Sequence, residues 1–213
     1  EIAAAYLVPE PTMAQRISRA KRTLHTSGAT FELPPSDELG DRVRRALAVV
    51  YLLYNEGYAA SAGADLTRAD LSAEAIRLGR LVHRLLPDDR EATALLALML
   101  LLDARRPARV TASGELVTLA EQDRSLWDHS LVAEGTALLD STIGTGRGPG
   151  EYQVQAAIAA VHDRAATAAD TDWPQVLALY GLLEEVAPSP FVTLARAVAL
   201  AEVEGPEAAA PVL

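Results

Sequence analysis

Through most of the chain, apolar side chains recur at spacings of three and four, in stretches of about 14–20 residues separated by short connections rich in Pro, Asp and Gly; that is the period of a helix with one buried face, not the strict alternation of a half-buried strand. Ala (41) and Leu (32) together make up about a third of the 213 residues, and aromatics only 5 %. Ala and Leu are among the strongest helix formers, whereas sheets favour β-branched and aromatic residues. The pattern therefore predicts an all-α chain. An apolar half of the sequence also excludes wholesale disorder.

The periodicity places helices over 41–54, from a cap at Asp70 to a stop at Pro87, and over 91–106, 122–143, 150–166, 173–186, 190–204 and from Pro206 onward. The run Ala94–Leu102 is almost wholly apolar, which predicts a central helix buried on all sides. Between Arg109 and Leu119 the pattern alternates around Ser113-Gly114 and predicts one short β-hairpin near 109–119. Paired helices with short connections predict an α-solenoid. The segment 173–213, with Trp173, Leu177, Tyr180, Leu183, Pro188, Ala195, Ala199 and Gly205, comes nearest to a tetratricopeptide pattern.

Several chemistries are excluded. With no cysteine there is no disulfide scaffold, thiolate metal site or cysteine nucleophile. No apolar run approaches the roughly 20 residues of a membrane span, and the start does not resemble a signal peptide. None of His25, His83, His129 and His162 has a partner at metal-ligand or catalytic spacing. Gly144, Gly146, Gly148 and Gly150 follow a helix and read as a flexible loop, not a phosphate cradle. No Gly-x-Ser-x-Gly motif occurs. The expectation is a protein without enzymatic activity, cofactor or metal. A start at Glu1 and a stop inside an incipient helix at Leu213 further suggest a piece of a longer chain.

Formal net charge is −10, unevenly distributed. Residues 1–25 carry a net +2, with all their cations at Arg16, Arg19, Lys21 and Arg22, so the remainder carries −12. A basic helix attracts nucleic acid and an acidic body repels it, although a merely solvated basic helix has the same composition. Glu1–Leu7 reads as the end of a short helix stopped by Val8-Pro9-Glu10-Pro11. Thr12 is placed as an N-cap, with Gln15 completing a capping box. Met13, Ile17, Ala20 and Leu24 form the apolar stripe of a second helix, leaving Gln15, Arg16, Arg19 and Arg22 facing solvent. This is a helix-turn-helix pattern, whose second helix enters the major groove by its N-terminal end.

On these residues the segment resembles the C-terminal half of region four of bacterial RNA polymerase sigma factors, specifically the extracytoplasmic-function (ECF) group of the sigma-70 family. Glu1-Ile2-Ala3, Pro9, Thr12, Gln15-Arg16, Arg19-Ala20-Lys21 and Leu24 match without a gap, while Pro11 stands where the family usually has Gly. The rest of the chain resembles the ECF subgroup with a C-terminal tetratricopeptide-like extension, at Tyr51–Tyr58, Leu71–Leu78, Leu96–Leu100, Asp103–Arg106, Asp123-Arg124 with Trp127, Tyr152–Ile158 and Thr171–Trp173. The resemblance implies a cytoplasmic transcription factor. Its −35 promoter contacts would be Thr12, Gln15, Arg16, Arg19 and Arg22, and core RNA polymerase would be the partner of the full-length protein. It also implies that the extension regulates sigma activity in cis. Region two and the first half of region four are not in this sequence. The implied organisation is 1–27 as a region-four remnant, 28–40 as linker and 41–213 as regulatory extension.

Polar residues interrupt the apolar helices at Asn55-Glu56, Glu74 with Arg77, Asp103 with Arg105-Arg106, Asp123 and Gln153/Gln155. One reading makes them satisfied bonds that set the helix register. The other makes Glu56, Arg77, Asp103, Arg106 and Trp127 a groove for a peptide or small effector. Two other classes stay open: a tetratricopeptide-like scaffold with no DNA role, and an enzyme on a helical array, which would need a deep pocket with converging titratable groups.

Overall fold

A computed structural model describes residues 2–6, 8–28, 32, 34–59, 68–144 and 148–212. Among them the architecture is all-α, and the chain divides into two compact units, Glu1–Ala75 and Ile76–Leu213. Glu1 and Leu7, half of the expected linker before Ser36, residues 60–67, the centre of the glycine loop (145–147) and Leu213 lie outside the described residues.

In the first unit, α1 (Ile2–Ala5) and a turn closed by the Val8 N–H donating to the Ala3 carbonyl (3.0 Å) lead into α2 (Glu10–Ser27). The helix starts earlier than expected. Pro9 is its N-cap, Pro11 lies in the first turn, and the first helical bond runs from Met13 N–H to the Pro9 carbonyl at 3.1 Å. First-turn N–H groups have no intrahelical acceptor, so prolines there cost nothing. Thr12 therefore sits inside the helix, and no side chain makes a cap bond; the expected Thr12–Gln15 capping box does not form. The third helix, α3, runs from Ser36 to Tyr58, so the last five residues of the expected linker are helical. Leu47, Val50 and Tyr54 are buried at helical spacing. A Cβ on Gly57 would lie 2.3 Å from the backbone nitrogen of Ser72, so only glycine allows α4 (Ala69–Leu85) to begin where it does.

In the second unit, α5 (Arg90–Ala104) is the predicted central helix, with every residue from Ala92 to Leu101 buried. Each fully buried leucine there contributes about 1.5–3 kcal/mol relative to exposure. The helices α6 (His129–Thr142), α7 (Glu151–Arg164), α8 (Trp173–Val186), α9 (Pro190–Glu204) and the short α10 (Pro206–Ala209) follow. A Cβ on Gly135 of α6 would lie 2.8 Å from Leu101 Cγ, so this glycine sets the closeness of α5 and α6. A second core joins α7, α8 and α9 through Val154, Ile158, Val176, Leu183 and Ala199.

Three further expectations need correction. Asp70, expected as the cap of α4, lies inside its first turn, because the helix starts at Ala69 with the Leu71 and Ser72 N–H groups donating to the Arg68 carbonyl. The helix predicted from 122 starts at His129, because Asp128 accepts from the Ser130 and Leu131 N–H groups and begins a new helix after the short 3-10 turn Arg124–Leu126. The hairpin predicted at 109–119 is a turn with a single antiparallel bridge, Val110 to Leu116. Residues 111–116 are exposed, and an isolated two-stranded hairpin has too little burial to extend further.

Candidate nucleic-acid interface

Thr12, Gln15, Arg16, Arg19 and Arg22 are all exposed on α2, an 18-residue helix with no buried residue. Thr12, Gln15, Arg19 and Arg22 fall at spacings of three and four, so they share one face, with Arg16 on its flank. Only Met13 and Ile17 of the opposite apolar stripe are half-buried; Leu24 is 64 % exposed. Among the described residues, none of Arg16, Arg19, Lys21 and Arg22 has a carboxylate partner. Two of the three basic side chains of α3 differ: Arg42 pairs with Glu38 at 3.0 Å and Arg44 with Asp41. The Thr23 and Thr26 hydroxyls donate back to the Arg19 and Arg22 carbonyls at 3.1 and 3.0 Å.

The second group of expected residues falls on both units. Glu56 is half-buried on α3 in the first unit, and Arg77 is exposed on α4 in the second. Asp103 and Arg106 meet as an ion pair at 3.1 Å, with the aspartate buried and its pKa raised by that burial. Trp127 is only 4 % exposed, with the guanidinium groups of Arg124 and Arg105 4.7 and 5.3 Å from its ring centre. It is a packed anchor and does not line an open groove.

Trp127 belongs to a buried cluster that spacing could not reveal. Arg105, at the end of α5, donates from Nε to Asp163 at 2.7 Å and from Nη2 to the Ala159 carbonyl at 2.7 Å, both on α7. The pair's side chains are 5 % and 0 % exposed. Burial raises the Asp163 pKa against the opposing pull of Arg105. Arg124 donates to the His162 and Ala165 carbonyls at 2.6 and 2.7 Å, satisfying the last turn of α7. His162 packs edge-on to Trp173 at 5.4 Å. Its pKa falls to about 4, through burial first and then repulsion from Arg105 and Arg124.

At the other end of the same two helices, Glu91 of α5 caps α7. Its carboxylate accepts from the Tyr152 and Gln153 N–H groups at 2.9 and 3.2 Å, a task Gly150, the residue at the N-cap, has no side chain to perform. Arg90 donates to Gln153 Oε1 (3.0 Å) and to the Thr142 carbonyl (2.7 Å). Because the start of α5 grips the start of α7, and the end grips the end, the two helices run side by side in the same direction. These polar side chains act as register pins. An open groove of about 230 Å³ bordered by α6, α7 and α8 has an apolar lining that includes Ile143, Ala157, Leu179 and Leu182. Among the described residues no three His, Cys, Asp or Glu side chains are placed to hold a metal ion, and no helix is long and apolar enough to cross a membrane.

Comparison with known proteins places residues 42–143, from α3 to the end of α6, in similarity to a family of unknown function (DUF6596). No solved structure matches the chain. Over 209 residues the chain is 46 % identical to Uncharacterized protein R00370 of Rhizobium meliloti (strain 1021), which covers 98 % of this chain and 49 % of that protein. The chain thus spans about half the length of this curated relative.

Proposed function

We propose that this chain is the C-terminal part of an ECF-type sigma factor, in which α2 reads the −35 promoter element and the helices from α3 onward regulate that activity through protein contacts. The observation that carries the reading is the arrangement of α2. After a short helix and a proline turn, it presents Gln15, Arg16, Arg19 and Arg22 to solvent, with no carboxylate among the described residues to neutralise the arginines. Lone arginines of this kind pair readily with phosphates, and a bidentate arginine–guanine contact supplies about 1–3 kcal/mol of base discrimination. The acidic remainder of the chain repels DNA, so its partners are expected to be proteins, core RNA polymerase first among them.

The test is promoter-dependent transcription by the full-length parent with core polymerase, with and without residues 41–213, and with Arg16→Ala/Arg19→Ala. Loss of output in the double variant supports the DNA role. Unchanged output would make the chain a helical scaffold whose basic helix binds a protein, the reading that the apolar groove bordered by α6–α8 favours. Higher output on removal of 41–213 makes the helical part a brake, and lost output from a folded truncation makes it an activating platform.

A further inference from the structure

The outward face of α9 carries Phe191, Leu194 and Val198, which are 59, 53 and 52 % exposed. Spaced three and four apart, they form one stripe, opposite the side through which Ala197 and Ala199 are buried. Three large apolar side chains in a row on one helix are unlike the scattered apolar exposure of an ordinary surface. The charge of the segment that carries the stripe is one-sided. Residues 165–213 carry seven Asp and Glu against a single basic side chain, Arg196, and Arg196 is already held by Glu184 at 3.3 Å. Glu185, Glu202, Glu204 and Glu207 are exposed.

We infer that this face of α9 is a docking site for a basic amphipathic helix of a partner protein. The partner's aliphatic side chains would lie along Phe191, Leu194 and Val198, and its Lys and Arg side chains would meet the surrounding carboxylates. Two arguments select that occupant. A stripe at helical spacing is matched by the i, i+3, i+7 side chains of a second helix. The field around it repels nucleic acid, anionic lipid surfaces and a second copy of the same acidic segment, and it attracts a cationic one. The inference concerns a different element from α2 and stands independently of what α2 binds.

The test is fluorescence anisotropy of a labelled helical peptide, with Leu at i, i+3, i+4 and i+7 and Arg at most other positions, titrated with the 213-residue chain. The expected result is saturable one-to-one binding, weakened about tenfold or more by Leu194→Ser/Val198→Ser and by scrambling the peptide so that its leucines no longer align. Both substituted side chains are half exposed, so circular dichroism of the variant is expected to match the parent. A second variant, Glu202→Lys/Glu204→Lys, should weaken binding at low salt and leave little difference at high salt. Equal affinity for the stripe variant or the scrambled peptide would reduce the effect to bulk charge and overturn the proposal. So would the absence of binding. Self-association of the chain that disappears in Leu194→Ser/Val198→Ser would also overturn it, by making a second copy the occupant.

Discussion

At the scale of single residues, the chemistry of this chain is concentrated where α5 meets α7. Arg105→Ala would leave the Asp163 carboxylate buried without its ion-pair partner, a change that typically costs about 3–5 kcal/mol, read as a fall in the urea midpoint. Replacing both partners together, as Arg105→Met/Asp163→Leu, should restore most of that loss, because an apolar pair needs no desolvated charge. His162 gives a pH signature. Its folded pKa of about 4 lies below its ordinary 6.5, so the unfolded chain takes up the proton first. Its contribution is full above pH 6.5 and is lost as pH falls from there toward 4, by about 3 kcal/mol. His162→Phe should flatten the stability–pH curve in that window. Asp103, Arg105 and Trp127 were legible as polar or aromatic residues in an apolar stretch, but Asp163 was not. Fifty-eight residues separate it from Arg105, and no local periodicity reaches across that distance.

Among the elements, the helices with the strongest pattern were the most legible. The apolar run of α5 could only be central, and α8 and α9 have the predicted bounds. The ends were less so, because they depend on partners elsewhere in the chain. The start of α2 is set by Pro9 and not by Thr12, so Thr12→Ala should leave thermal stability within about 0.5 kcal/mol of the parent, where a true capping residue would cost about 1 kcal/mol. The start of α7 behaves oppositely. Glu91→Ala removes the acceptor of two N–H groups on a helix with no cap of its own, and should cost about 1–2 kcal/mol. Faster amide hydrogen exchange at Tyr152 and Gln153 would show that the first turn of α7 has loosened. Gly57 was visible only as part of a resembling motif. Its reason is the Ser72 backbone against it, and Gly57→Ala should destabilise α3 and the start of α4 together.

For the whole molecule, the split in charge was readable directly from the sequence, and it makes salt the controlling variable for any DNA contact. Each phosphate neutralised adds about 0.9 to the slope of log affinity against log salt. Binding of the chain to −35 promoter DNA should therefore follow a slope of about −3, if Arg16, Arg19 and Arg22 each meet one phosphate, and Arg22→Ala should reduce it by about 1. Measuring affinity for promoter and random duplexes across salt concentrations separates phosphate from base contacts. The twin grips between α5 and α7 have a mechanical consequence. Helix stacks in which each member touches only its neighbours peel apart one at a time under tension, but α7 is fastened to α5 near both its ends. Pulled by its C-terminus in an optical trap, the second unit should release α10, α9 and α8 in small steps at low force, then hold, and finally yield α7, α6 and α5 in one large extension. Arg105→Ala should split that last event in two.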